Sequence, residues 1–199
     1  MRLLSQTIFS QNNVYFQGDW SEKTLEILDE ASNNLFSVIS QPMEGWEWFK
    51  NLVIRAENIP QLGLTSKGLV RLNPGSLSQW TVVHEFAHAW DFATGLRLSR
   101  RMKRFTHSWG PVPILHLLSP DDNRFWYHVG SMPPPCGSDK HFNRLEDFAE
   151  AVAAYVYPEE ARKRAADRGM AYDRFGYASY YETPRGQFIK GLIAGKPTE

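Results

Sequence analysis

Residues 80–95 read Trp80-Thr81-Val82-Val83-His84-Glu85-Phe86-Ala87-His88-Ala89-Trp90-Asp91-Phe92-Ala93-Thr94-Gly95. The stretch is apolar almost all round, which marks a buried helix. Its polar exceptions are Thr81, His84, Glu85, His88 and Asp91. At roughly 100° per residue they fall within an arc of about 120°. A polar stripe on a buried helix is costly unless it is paired or bound to metal. The stripe holds H-E-x-x-H at 84–88. Residues i and i+4 stand one above the other, so two imidazoles can reach one zinc ion. Glu85 sits beside them, placed to take a proton from water that the metal activates. The alternative is a set of core histidines hydrogen-bonded to their neighbours, which leaves Glu85 needing a buried partner of its own.

A zinc site needs a third protein ligand. The metzincin pattern would place Gly at 91 and His or Asp at 94; Asp91 and Thr94 stand there instead. The Cα of Asp91 is about 10 Å along the helix axis from that of His84. Asp91 therefore reads as a group that orients a ligand or pairs with a nearby donor. Downstream, Asn143-Arg144-Leu145-Glu146-Asp147-Phe148-Ala149-Glu150-Ala151-Val152 opens a helix expected over 144–157, with Glu146 and Glu150 at i,i+4. One would bind zinc and the other would accept an imidazole N–H. Spacing alone also allows a structural role, with Asn143 and Glu146 as a capping box.

Two motifs together carry a resemblance. His84 to Gly95 (HEFAHAWDFATG) is similar to the active-site helix of the anthrax lethal factor family of zincin metallopeptidases. That family shows H-E-F-G-H-A, then Asp two residues on and a closing Gly. Glu146-Asp147-Phe148-Ala149-Glu150-Ala151 matches its E-x-F-A-E-A segment, and Thr183 to Ile189 is loosely similar to its closing helix. The resemblance covers about 60–194 in order. It implies a zincin-like metallopeptidase of the gluzincin type. His84, His88 and Glu146 would bind one Zn2+ per chain, Glu85 would be the general base, and Glu150 would support a ligand. It also implies a peptide or protein substrate, bound by strand addition along an edge strand that precedes the zinc helix, here Gly68–Leu72. The family often has a Tyr about seven residues before the ligand Glu, helping to stabilise the oxyanion; Asp139 stands here. Tyr127, His128 and His141 are the candidate replacements as catalytic donors. Asp139 also motivates a second reading, a zinc-stabilised binding module or pseudoenzyme. Pro135 to Asp139, around Cys136, faintly resembles the cysteine switch of matrix metalloproteinase propeptides.

The rest of the chain sets the frame. Its 199 residues are expected to form one domain over 1–199, with an N-terminal arm at 1–20 and a loop-rich insertion at 96–142. A lone cysteine excludes a disulfide framework and a cysteine-rich zinc site. Twenty-two basic residues cancel 22 acidic ones, which argues against nucleic acid or an anionic membrane as partner. The basic cluster Arg97, Arg100, Arg101, Lys103 and Arg104 reads as a solvated surface or a contact for an acidic partner. No run approaches 18 apolar residues, and the first residues lack a signal-type apolar core, so the expected compartment is the cytoplasm. Export by a non-classical route leaves no mark in a sequence.

Further elements follow from periodicity and punctuation. A helix is expected at 21–39, capped by Ser21, and a strand at 51–56. A hairpin is expected over 62–73, turning at Ser66-Lys67-Gly68. The H-E-x-x-H helix should span 77–94, capped by Ser76 with Gln79 and closed by Gly95. Two more helices begin at Pro158, with Glu159–Lys163 and Glu160–Arg164 pairs, and at 184. Helices and strands are segregated, so the fold class is α+β. The expected form is zincin-like: a small mixed sheet whose edge strand packs on the buried helix.

Overall fold

The computed structural model describes residues 8–39, 48–106, 143–167 and 171–195. They belong to two compact units, 1–95 and 96–199. The described residues show the expected α+β mixture, with a small mixed sheet in the first unit.

The first unit runs α1 (Ile8–Gln11), β1 (Tyr15–Gln17), α2 (Glu22–Val38), β2 (Val53–Ala56), β3 (Gly63–Ser66), β4 (Leu69–Leu72) and α3 (Gln79–Ala93). Strand order is β1-β2-β4-β3. The first three pair in parallel, and β3 returns antiparallel to β4. Residues 15–17, read from sequence as part of an N-terminal arm, thus add a fourth strand. The hairpin turns where Gly68 takes φ +76°, a conformation that favours glycine. One sequence expectation is corrected here. Gly68–Leu72 does not contain the edge strand, because β4 is paired on both sides; the edge beside α3 is β3.

The register sorts the sheet's two faces. Phe16, Ile54, Val70 and Thr65 stand in one row across the four strands. Ala56, Leu72 and Gly63 form the next row on the same face. Ile54, Val70 and Leu72 are fully buried there. Gln17, Arg55, Arg71 and Leu64 share the other face, where Arg55 donates to Gln17 Oε1 at 2.7 Å.

Ser21 caps α2, accepting from the Thr24 N–H at 3.2 Å, as its position suggested. The cap of α3 is Ser78, which accepts from the Thr81 N–H at 3.2 Å, and not Ser76. Pro74–Ser76 form a 3-10 turn of their own, started by Asn73, so Ser76 is already used. Gly95 closes α3 at φ +67°, as expected of a C′ glycine. Behind α3, Phe86 packs edge-on against Phe49 (4.9 Å between centroids), which meets Phe36 (5.4 Å) and Phe9 (5.8 Å). Trp48 stacks on Trp90 at 5.9 Å.

The second unit holds α4 (Arg97–Thr106), α5 (Arg144–Val156), α6 (Pro158–Asp167) and α7 (Pro184–Ile193), with 3-10 turns at Tyr172–Phe175 and Tyr180–Glu182. Residues 97–106 are therefore a helix, not the start of a loop-rich stretch. Leu98 and Met102 bury one face of it, and Lys103 and Arg104 sit in its last turn, where the helix dipole favours cations. On α6, Glu160 pairs with Arg164 at 2.9 Å as expected, whereas Glu159 pairs with Arg162 at 2.8 Å rather than with Lys163.

A buried ion pair joins α5 to α7. Arg185 donates from Nε to Asp147 Oδ1 at 2.5 Å and from Nη2 to Oδ2 at 3.1 Å. Both side chains are sealed, at 1% and 0% exposure. Gly186 beside it is obligatory, because a Cβ there would stand 2.1 Å from the Tyr180 carbonyl oxygen. Removing one partner of such a pair strands a buried charge. Arg185→Ala should cost about 3–5 kcal/mol of stability, read as a fall in the urea midpoint. The double change Asp147→Leu/Arg185→Met should cost much less than Arg185→Ala alone.

Candidate metal centre

Helix α3 supplies three of the predicted side chains. Residues Trp80 to Asp91 are buried, apart from the half-buried His84. The one-turn offset of His84 and His88 brings their Nε2 atoms to 3.1 Å. Their rings meet edge to face, 4.7 Å between centroids. Two imidazole nitrogens on one tetrahedral zinc, each at about 2.0–2.1 Å, would be about 3.3 Å apart. The 3.1 Å separation is that of a hydrogen bond between the two rings and is also close to the spacing of two ligands on one ion, and a His₂-carboxylate donor set suits zinc chemically.

Glu85 is 6% exposed. Its partner, half-buried, comes from the sheet: Thr65 Oγ1 lies 2.6 Å from Glu85 Oε2 and 3.2 Å from the Glu85 carbonyl oxygen. Gly63, two residues earlier on the same face of β3, leaves space for the carboxylate. A Cβ at 63 would lie 2.5 Å from Glu85 Cγ and 2.6 Å from Oε1. Sequence reasoning missed both residues. The signal was present in the alternation of Gly63-Leu64-Thr65-Ser66. It puts two small residues, one of them polar, on the face that Val70 and Leu72 fill with apolar bulk. Asp91 is also sealed in α3, at 1% exposure.

Glu146 and Glu150 lie on α5. Asn143 caps this helix, accepting from the Leu145 N–H at 2.8 Å and the Glu146 N–H at 3.4 Å. The capping role expected of Asn143 is present, and Glu146 occupies the first turn, half-buried. Glu150, one turn on, is 6% exposed. His84 and His88 belong to the first unit and Glu146 to the second. Tyr127, His128, Cys136, Asp139 and His141 lie outside the described residues.

Compared with protein-family models, curated proteins and solved structures, the chain matches none.

The cap of α5 sets the first turn that carries Glu146. Asn143→Ala should cost about 1 kcal/mol in urea denaturation, whereas Asn143→Asp should stay close to the parent.

Proposed function

We propose that this chain is a zinc-dependent metallopeptidase of the zincin type. His84, His88 and Glu146 would hold the ion and Glu85 would serve as general base. The observation that carries the reading is the convergence of the two H-E-x-x-H imidazoles at 3.1 Å on one buried helix face. The likeness of Glu146-Asp147-Phe148-Ala149-Glu150-Ala151 to the family's E-x-F-A-E-A segment supports Glu146 as the third ligand. Bound zinc would supply Lewis acidity, lowering the pKa of water and polarising a peptide carbonyl.

The chain's own residues have separate tasks. His84, His88 and Glu146 would hold the ion, the Glu146 carboxylate offsetting part of its charge. Glu85 accepts a proton as water attacks the carbonyl carbon, then delivers it to the amine as the C–N bond breaks. Glu150 and Asp91, both buried, orient ligands on this reading. The outer edge of β3, which pairs with no strand among the described residues, would take an extended peptide as an added strand. Tyr127 and His141 are retained as proposed oxyanion donors.

Metal analysis of the dialysed protein and cleavage of a fluorogenic peptide library test this reading. The parent should hold one zinc per chain. His84→Ala and His88→Ala should hold almost none. Glu85→Gln should keep the zinc and lose about 10²-fold or more in kcat. Full activity in Glu85→Gln would overturn the mechanism. One zinc per chain with no cleavage by the parent would overturn the peptidase reading in favour of a zinc-stabilised binding module.

A further inference from the structure

We propose that Thr65 and Gly63 form a built seat for the Glu85 carboxylate, in which Thr65 is a positioning residue that holds Oε2 and leaves Oε1 to carry the proton. This rests on the reading of Glu85 as the general base.

Three observations converge. First, the hydroxyl of Thr65 has a single proton and two acceptors within reach. The contact to Oε2 at 2.6 Å is much shorter than that to the carbonyl at 3.2 Å, so the proton goes to the carboxylate. Second, the sheet face bearing Thr65 is otherwise apolar. Phe16, Ile54 and Val70 precede Thr65 in its row, and Ala56 and Leu72 precede Gly63. A sheet built for packing alone would continue both rows with aliphatic side chains, and Val has nearly the shape of Thr. Third, Gly63 is not required by its backbone conformation, because its φ is not in the left-handed region. What it provides is space: a Cβ would come within 2.7 Å of Glu85 Cγ, Cδ and Oε1, so the carboxylate would have to shift. The seat therefore clamps one oxygen by a charge-assisted hydrogen bond and keeps the other in a fixed place by close backbone approach.

The proton balance is simple. A water O–H bond breaks as its oxygen bonds to the carbonyl carbon, and Oε1 takes that proton. When the C–N bond breaks, Oε1 passes the proton to the amine nitrogen. Oε2 stays hydrogen-bonded to Thr65 throughout, so the carboxylate does not rotate between the two transfers. Misplacement of a reacting group by about 1 Å is enough to cost on the order of 10²-fold in rate.

The test compares the parent, Thr65→Val, Thr65→Ser and Gly63→Ala as full-length, zinc-loaded proteins. Thr65→Val should keep one zinc per chain and an unchanged KM, and lose about tenfold or more in kcat. Thr65→Ser, which keeps the hydroxyl, should recover most of that loss. Gly63→Ala should lose more kcat than Thr65→Val. Two readouts do not use activity. Crystal structures should show the Glu85 carboxylate displaced by about 1 Å in Thr65→Val and in place in Thr65→Ser. In the metal-free protein, Thr65→Val should lower Tm by about 3 °C or more, and by nothing when Glu85 is already Ala. An active parent whose Thr65→Val variant keeps kcat, or keeps the carboxylate in place, would overturn the seat alone. A zinc-loaded parent that cleaves nothing would overturn the peptidase reading, and the positioning role with it.

Discussion

The first unit is organised around one constraint: a helix that must be buried carries a stripe of groups that do not tolerate burial unaided. Helix α3 meets it by dividing its surroundings. Phe86 and Trp90 turn toward a cluster of rings, including Phe49, Phe36 and Trp48. Glu85 faces the edge strand β3, where a hydroxyl and a missing side chain replace apolar bulk. The order of the sheet follows from this need. If β3 were an interior strand, its Thr and Gly would weaken a fully covered layer. At the edge they cost less and keep their free backbone beside the helix.

Much of this was legible in residue order because it is local. Ser21, Asn143 and Gly95 act within one turn of the helices they bound, and each does what its type predicts. The hairpin turned at Gly68, and the i,i+4 histidines converged, for equally short-range reasons. The failures share one cause, competition from partners distant in sequence or from a neighbouring turn. Strand β1 has only three residues and is recognisable only by its parallel pairing with Val53–Arg55. Ser76 resembled a cap, but Asn73 and Pro74 had drawn it into a 3-10 turn. The basic run 97–104 reads as part of the proline-rich stretch after it, yet Leu98 and Met102, at i,i+4, bury one face of a helix. The alternation of Gly63-Leu64-Thr65-Ser66 marks a small, polar patch on β3, but no linear pattern says that Glu85, 20 residues on, is what meets it.

The second unit uses electrostatics where the first uses aromatic packing. The Asp147–Arg185 pair is fully enclosed and bidentate, so it fixes the rotation of α5 about its own axis, not merely its distance from α7. Glu146 precedes Asp147 by one residue and so points roughly 100° away around the helix. Pinning Asp147 therefore aims Glu146. A hydrophobic contact of equal area would leave more rotational slack.

The small residues on the core face of β3 also bear on how the molecule breathes. Gly63 and Thr65 contribute little apolar surface, so β3 is held by its ladder to β4, by the Thr65 hydrogen bonds to Glu85 of α3, by the turn at Lys67-Gly68 and by the Asn73 amide on the Leu62 carbonyl. Elements with few buried apolar contacts are the first to open in the native state. The backbone amides of residues 63–66 should accordingly exchange with solvent sooner than those of β2 and β4. Each opening separates Thr65 from Glu85, so amide exchange along this strand counts the fraction of molecules in which that hydrogen bond is broken.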